Sequence, residues 1–157
     1  MASARKVELD CEGSFGAAAA RTVKVRSREV FEHADGVLDL TRVERVHDMR
    51  VATRRLRAAL EIFEDCFPRK RNRKALRKVK ALADALGERR DLDVEIELLE
   101  GLAEQVAAED REALATLVEE LRSRQQQANE NLAPSVTHKR LKKLRRRLAK
   151  LAKKAKS

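Results

Sequence analysis

The chain has 157 residues and a formal net charge of +10; 43% of its residues are hydrophobic and 39% are charged. This length favours a single domain. Aromatic residues make up only 3%, and five glycines and two prolines leave long stretches without helix breakers, so the composition is typical of long helices and excludes a sheet protein.

The first two predicted helices have clear start and stop signals. The first runs from about Ser14, a plausible N-cap, to Ala34, and Gly36 ends it. The second opens on Thr41-Arg42-Val43-Glu44, which has the pattern of a capping box, and runs to about Asp65, where Pro68 stops it.

The apolar spacing of the second half predicts a further set of helices. The third runs from about Lys70 to Leu86 with Gly87 as its terminator, and the fourth starts near Asp91. A helical pattern resumes from Glu109 to about Leu132, either as one long helix with the fourth or as two helices joined near Ala107. The last runs from His138 to near Lys154.

These patterns predict an all-α fold, an antiparallel bundle of about five to six helices with a basic groove or pocket. We expect one domain over residues 1–157. It has a short flexible amino terminus of about residues 1–13 and a lysine-rich last helix over residues 138–157.

Charge is distributed in blocks along the chain. Residues 1–40 carry a net charge of −1, residues 41–90 carry +9, residues 91–137 carry −9 and residues 138–157 carry +11. Alternating blocks predict a folded protein with a basic side and an acidic side. The acidic block argues against a general duplex-DNA coat, because it would repel phosphates.

The second helix carries the strongest functional signal. At helical spacing His47, Arg50, Arg54 and Arg57 form one ridge opposite the apolar face, with Arg55 on its flank. Like charges one turn apart destabilise a helix slightly, so stability alone does not explain the pattern. The arginine fork pairs with two phosphate oxygens and keeps its charge, and the imidazole of His47 is a further candidate donor on the same ridge.

Two further helices repeat this basic character. Arg73, Arg77 and Lys80 form a stripe on the third helix, and the last helix is basic over nearly its whole polar side. We expect these stripes to line one shared groove with the second helix. The alternative is that they are solvated faces, and the lysine-rich carboxyl terminus could equally be a non-specific solubility or nucleic-acid tail.

Two motifs carry a family resemblance. The run from Val46 to Leu60, with its core His47-Asp48-Met49-Arg50, and the later run Leu86-Gly87-Glu88-Arg89-Arg90-Asp91-Leu92-Asp93-Val94 together resemble the CHAD family, the conserved histidine α-helical domain. The resemblance covers residues 16 to 100 well and the remainder loosely. It implies an all-helical fold around a basic cavity or channel, and binding of inorganic polyphosphate without catalysis.

The resemblance also implies which residues bind. It places the binding role on His47, Arg50, Arg54, Arg55, Arg57, Arg77, Lys80 and Arg90. Asp91 and Asp93 would be structural, capping the next helix and orienting Arg90. Typical members look longer, with a second bundle that echoes the first, and here Lys142, Arg145 and Arg146 are only a faint echo of its motif. A half-size member would form a shallower site, or would complete a channel as a homodimer, most commonly an isologous one.

Other functions have less support in the sequence. A nucleic-acid-binding protein is the main alternative, although single-strand binding usually uses stacking aromatics. An enzyme is not expected: His33, His47 and His138 show no metal-ligand spacing, and no metal or cofactor is predicted. The amino terminus lacks a secretory pattern, no stretch suits a membrane, and Cys11 and Cys66 suggest two free thiols. We therefore expect a cytoplasmic protein, and association with polyphosphate granules is a further expectation.

Overall fold

Helices account for most of the computed structural model, which describes residues 3–156. The α-helices of this range are α1 Phe15–Glu32, α2 Val43–Ile62, α3 Arg69–Ala103, α4 Ala108–Leu132 and α5 His138–Ala152, with 3₁₀ turns at Glu64–Cys66 and Ala133–Ser135. The described residues contain no strand, which confirms the all-α prediction. None of their helices combines the length and apolarity needed to cross a membrane.

Side-chain caps start α1 and α5. The Ser14 hydroxyl accepts a hydrogen bond from the Ala17 backbone N–H at 3.1 Å, and the Thr137 hydroxyl accepts one from the Arg140 N–H at 3.3 Å. Each bond satisfies a donor that has no partner within its helix. The predicted cap at Ser14 is confirmed.

The predicted capping box at Thr41 and Glu44 is wrong. Arg42 occupies the N-cap of α2 and makes no side-chain cap bond. The Thr41 hydroxyl donates instead to Asp39 Oδ1 at 2.6 Å, and the Thr41 N–H donates to the same oxygen at 2.9 Å. Both Thr41 donors thus bind the aspartate side chain two residues upstream and form a turn instead of a helix cap. These two hydrogen bonds lower the pKa of Asp39.

Gly87 does not end a helix, and Asp91 does not begin one. α3 continues for 35 residues through both positions, and the chain breaks only at residues 104–107 before α4. Of the two alternatives predicted from the sequence, one long helix or two helices joined near Ala107, the structure has the second. A single glycine costs a helix only about 1 kcal/mol relative to alanine, which packing on both sides of Gly87 outweighs.

The buried register of α3 shows why the helix continues. Buried positions recur every three or four residues, and this spacing continues past Gly87. They are Ala75, Val79, Leu82 and Leu86 before the glycine and Arg89, Asp93 and Ile96 after it. One face of the helix is therefore packed along most of its length. The continuity of this face depends on Arg89 and Asp93, which occupy core positions although both are charged.

The main core lies between α1, α2, α5 and the first half of α3. Its fully buried members include Val23, Met49, Leu56, Val79 and Leu148. α2 packs between α1 and α3, while α5 closes the bundle against α1 and α3. This order places the outer faces of α2 and α3 side by side, and it places α5 on the other flank of α3.

α4 forms an antiparallel hairpin with α3. The outer part of this hairpin has a small core of its own, made by Leu92 and Ile96 from α3 and by Leu121 and Ala128 from α4. The last residue of α4, Leu132, belongs to the main core. The acidic block of the sequence therefore forms the hairpin, apart from the cationic bundle.

The segment before α1 lies along that helix. The Arg5 N–H donates to the buried carboxylate of Glu29 at 2.6 Å, and Arg26 donates to the same oxygen at 2.9 Å. Arg21 also donates to the Glu8 carbonyl at 2.6 Å. Of the predicted flexible segment 1–13, residues 1 and 2 lie outside the described residues, as does Ser157 of the predicted last helix segment.

Candidate functional site

The basic ridge of α2 lies on its outer side. Met49, Ala52 and Leu56 are fully buried beneath it, whereas Arg54 is exposed and His47, Arg50 and Arg57 are half-buried. The burial agrees with the amphipathic spacing of the sequence. The ridge therefore presents guanidinium groups on a rigid helix that is anchored by the core.

Arg50 lies where α2 and α3 approach each other. A Cβ atom placed on Gly87 of α3 would lie 3.7 Å from Arg50 Nε. Gly87 therefore lies directly beside the guanidinium of the ridge residue. In the Leu-Gly motif, Leu86 is fully buried, while Gly87 faces Arg50 of α2 at an ordinary van der Waals distance.

Glu61 joins cations from two helices. Arg57 Nε donates to Glu61 Oε1 at 3.1 Å, and Lys80 Nζ of α3 lies 3.3 Å from the same oxygen. Desolvation by itself raises the pKa of Glu61, but the hydrogen bonds and charges of Arg57 and Lys80 outweigh it, so the net pKa is lowered. The ridge and the α3 stripe thus form one continuous surface, in which Glu61 neutralises part of the charge.

A mixed-charge cluster lies at the amino-terminal end of the ridge. Ligand-type atoms of Glu44, His47 and Asp48 lie within 4.8 Å of one another. Arg90 Nη1 of α3 lies 3.8 Å from Glu44 Oε1, and its side chain is 13% exposed. Because the Arg90 guanidinium lies beside this cluster, a divalent cation would meet positive charge. The arrangement suits carboxylates that orient His47 and Arg90.

The remaining predicted residues are spread over several surfaces. Arg73 and Arg77 are exposed on the outer side of α3, and half-buried Arg55 lies on the opposite flank of α2, where it already has an interaction partner. Arg145 lies beside Lys24 and Arg28 of α1. Lys142 is exposed, and Arg146 lines a cavity toward α3.

The three basic stripes therefore do not share one groove. The stripes of α2 and α3 meet at Glu61, but α5 lies across α3 from α2 and divides its cations between α1 and α3. The name α2–α3 surface is used below for His47, Arg50, Arg54, Arg57, Arg73, Arg77, Lys80 and Arg90.

Arg89 and Asp93 form a buried polar pair that the sequence motifs did not predict. Arg89 is fully buried and Nη1 donates to Asp93 Oδ1, while Gln125 Nε2 of α4 donates to the same oxygen at 2.6 Å. Asp93 is structural, as predicted, but it holds Arg89 and α4 rather than Arg90, and neither Asp91 nor Asp93 caps a helix. The three-four register extended past Leu86 would have identified both residues as buried.

A family model described as the CHAD domain matches residues 23–157, which is nearly the whole chain and includes the α2–α3 surface, the hairpin and α5. No curated protein matches the chain.

Proposed function

The chain belongs to the CHAD domain family, and on that premise we propose that it binds inorganic polyphosphate, without catalysis, along the α2–α3 surface. CHAD domains are associated with polyphosphate binding. The observation that carries the proposal is the meeting of two cationic stripes at Glu61, where Arg57 and Lys80 share one carboxylate oxygen. Six further cationic or titratable side chains flank that point.

The chemistry of these residues suits a phosphate chain. Arginine offers a planar fork to two phosphate oxygens and keeps its charge at any physiological pH. Binding releases counterions from the polyanion, which favours association without any recognition of bases. A rigid helix on a buried core holds the arginines in place, so little ordering is needed on binding.

Nucleic acid is the second candidate ligand. Its phosphates would meet the same cations, but single-strand binding generally adds aromatic side chains on which bases stack. The α2–α3 surface contains no Phe, Tyr or Trp. Phe63, near the end of α2, is paired instead with Phe15 of α1, with ring centroids 5.1 Å apart. Competition between polyphosphate and single-stranded RNA for the protein separates the two ligands.

The double variant Arg50→Ala/Arg54→Ala tests the assignment. Each exposed arginine–phosphate contact contributes about 1 kcal/mol, so we expect roughly thirtyfold weaker polyphosphate binding. Titration calorimetry at fixed low salt measures the change.

A matched control for this variant is available on the hairpin. Arg111→Ala/Arg124→Ala removes the same charge from exposed positions of α4. We expect it to bind nearly as tightly as the wild type. Equal losses in both double variants would show that net charge alone governs affinity, and undiminished binding by a folded Arg50→Ala/Arg54→Ala variant would overturn the site.

The variant Glu61→Gln is expected to bind polyphosphate about two- to fivefold more tightly than the wild type. It releases Arg57 and Lys80 from a competing ion pair, and exposed ion pairs contribute about 0.2–1 kcal/mol. Glu64→Gln, one turn away and exposed, is the control and should leave the affinity within twofold.

The same variant has a defined pH dependence. The folded pKa of Glu61 is lowered, so its ion pairs stabilise the protein above the unfolded pKa and are lost as the pH falls through the folded pKa. Protonation then frees Arg57 and Lys80 in the wild type. The affinity difference between wild type and Glu61→Gln should shrink in that acidic window, and a constant difference would contradict the role of Glu61.

Assembly and location stay predictions. The homodimer predicted from the sequence would be measured by sedimentation. The cytoplasmic location is expected from the sequence, and the association with polyphosphate granules follows from the proposed ligand. Imaging would measure both.

A further inference from the structure

A second basic concavity lies between α3 and α5. One cavity of about 540 Å³ runs from the middle of α3 to the amino-terminal end of α5, and a neighbouring cavity of about 340 Å³ continues toward the start of α3. Lys143 and Arg147 of α5 line both. The two cavities therefore form one groove, here called the α3–α5 groove.

The groove is lined by cations from both helices. Three cations come from α3, namely Arg71, Lys74 and Lys78, and six come from α5, namely Lys139, Arg140, Lys143, Arg146, Arg147 and Lys150. The lining of both cavities contains no carboxylate, whereas the other three described cavities include Asp10, Glu32, and Glu100 with Glu119. Within residues 3–156, no ion pair involves any of these nine cations.

The cations of the α3–α5 groove are not balanced by nearby acids, in contrast to those of the α2–α3 surface. There Glu61 pairs with Arg57 and Lys80, and Glu44 lies beside Arg90. In the α3–α5 groove the cations repel each other with no acid between them, and like charges on neighbouring turns are destabilising. A bound polyanion would relieve that repulsion. Each cation of the groove should therefore contribute more to anion binding than a cation of the α2–α3 surface that is already paired with an acid.

The two basic regions lie on different flanks of α3. At about 100° per residue, the stripe of Arg73, Arg77 and Lys80 is rotated by roughly 120° from that of Arg71, Lys74 and Lys78. The contact of Lys80 with Glu61 fixes the first stripe toward α2. The cavity lining fixes Lys78 toward α5. Two positions only two residues apart therefore report on separate surfaces.

The groove fits a phosphate chain better than a nucleic acid. Its floor is aliphatic, with Leu82 and Leu144, and the hydroxyl-bearing Ser135 and Thr137 lie at one end. The lining includes no aromatic side chain on which a base could stack. Its donors are the ammonium and guanidinium groups that bind phosphate oxygens.

We propose that the α3–α5 groove is a second polyphosphate-binding tract, separate from the α2–α3 surface. The proposal rests on the proposed function for the identity of the ligand. It adds a second location, with Lys74, Lys78, Lys143 and Arg147 as its central contacts. A long polyphosphate chain would then have two cationic tracts on the two flanks of α3, and occupancy of both would raise its affinity by avidity.

Lysine acetylation of the full-length protein tests the location. Site-resolved mass spectrometry measures the acetylation rate of each lysine with and without inorganic polyphosphate at low salt, and in a parallel arm with single-stranded RNA. Lys78 and Lys143 report on the groove, and Lys80 reports on the α2–α3 surface. We expect polyphosphate to slow acetylation of Lys78 and Lys143 several-fold.

A pair of variants tests the energetic contribution. Lys78→Ala/Lys143→Ala changes two exposed residues of the groove, and Lys153→Ala/Lys154→Ala removes the same charge from exposed positions just beyond α5. We expect about tenfold weaker polyphosphate binding for the groove variant and less than twofold for the control. Thermal unfolding by circular dichroism checks that both variants are folded.

The outcomes separate the groove from the proposed function. Protection of Lys80 alone, with unchanged rates at Lys78 and Lys143, would overturn the groove and leave polyphosphate binding intact. Absence of any binding by the wild type at low salt would overturn both. Protection of Lys78 and Lys143 by RNA but not by polyphosphate would overturn this assignment in favour of nucleic acid. Equal affinity losses in the two lysine variants would overturn it as well.

Discussion

Replacing Asp93 with alanine is expected to lower the free energy of unfolding by about 3–5 kcal/mol, because it leaves the buried guanidinium of Arg89 without its counter-charge. Arg89 is 0% exposed and Asp93 is 4% exposed. Asp93 Oδ1 accepts hydrogen bonds from Arg89 and from Gln125 of α4. The substitution thus removes an ion pair and also the polar link between α3 and α4.

The location of the Arg89–Asp93–Gln125 network between two cores increases the expected loss of stability. Arg89 lies between Leu86 of the main core and Leu92 of the hairpin core, so water cannot readily solvate an orphaned charge there. Among the described residues, Nε and Nη2 of Arg89 and Oδ2 of Asp93 have no hydrogen-bond partner. The pair therefore has few alternative partners once one member is lost.

Denaturant unfolding followed by circular dichroism measures the loss. Asp91→Ala is the matched control, because Asp91 is exposed two residues away on the same helix and should change stability by about 0.5 kcal/mol or less. The triple variant Arg89→Met/Asp93→Leu/Gln125→Leu should recover most of the stability, since apolar residues often replace a buried polar network without loss when every member is replaced. Wild-type stability of a folded Asp93→Ala protein would contradict the role of the pair.

The affinity of the wild type for polyphosphate is expected to fall by at least about 300-fold when the salt concentration rises from about 50 to about 200 mM. Six cations of the α2–α3 surface make direct contacts in the proposed complex: Arg50, Arg54, Arg57, Arg73, Arg77 and Lys80. With the coefficient of single-stranded polyanions, their engagement gives a slope of log affinity against log salt of about −4.

A salt series of titrations with the wild type and Arg50→Ala/Arg54→Ala measures this slope. The double variant should have a slope nearer −3, because two phosphate contacts are lost. Additional engagement of the α3–α5 groove would make the wild-type slope steeper than −4. An affinity that is independent of salt would contradict an electrostatic mechanism, whichever cations are involved.

Local signals in the sequence predicted the helices well where packing agreed with them. The Ser14 cap and the end of α2 before Pro68 follow from short-range chemistry, whereas the sequence left the break near Ala107 open as one of two alternatives. The capping box at Thr41 failed because Asp39 competes for the same hydroxyl. Gly87 failed as a terminator because the penalty for one glycine is small beside the packing of α3 against α2 and α4.

In the candidate site too, the sequence predicted features within one helix but not contacts between helices. Helical periodicity alone placed His47, Arg50, Arg54 and Arg57 on the outer side of α2, since their orientation depends on residue spacing and on the apolar face. It could not show that Lys80 reaches Glu61, or that α5 lies on the far flank of α3. Those relations depend on how helices distant in sequence pack together.

By itself, the sequence determined that this protein is helical, that its charge is divided into blocks and that α2 carries an outward basic ridge. These properties depend on the composition and on residue spacing within single helices. Only the tertiary structure decided that α3 is one helix, that Arg89 and Asp93 lie in the core and that the cations form two separate surfaces. The physical reason is that burial and charge pairing between helices are set by packing, which spacing within one helix does not encode.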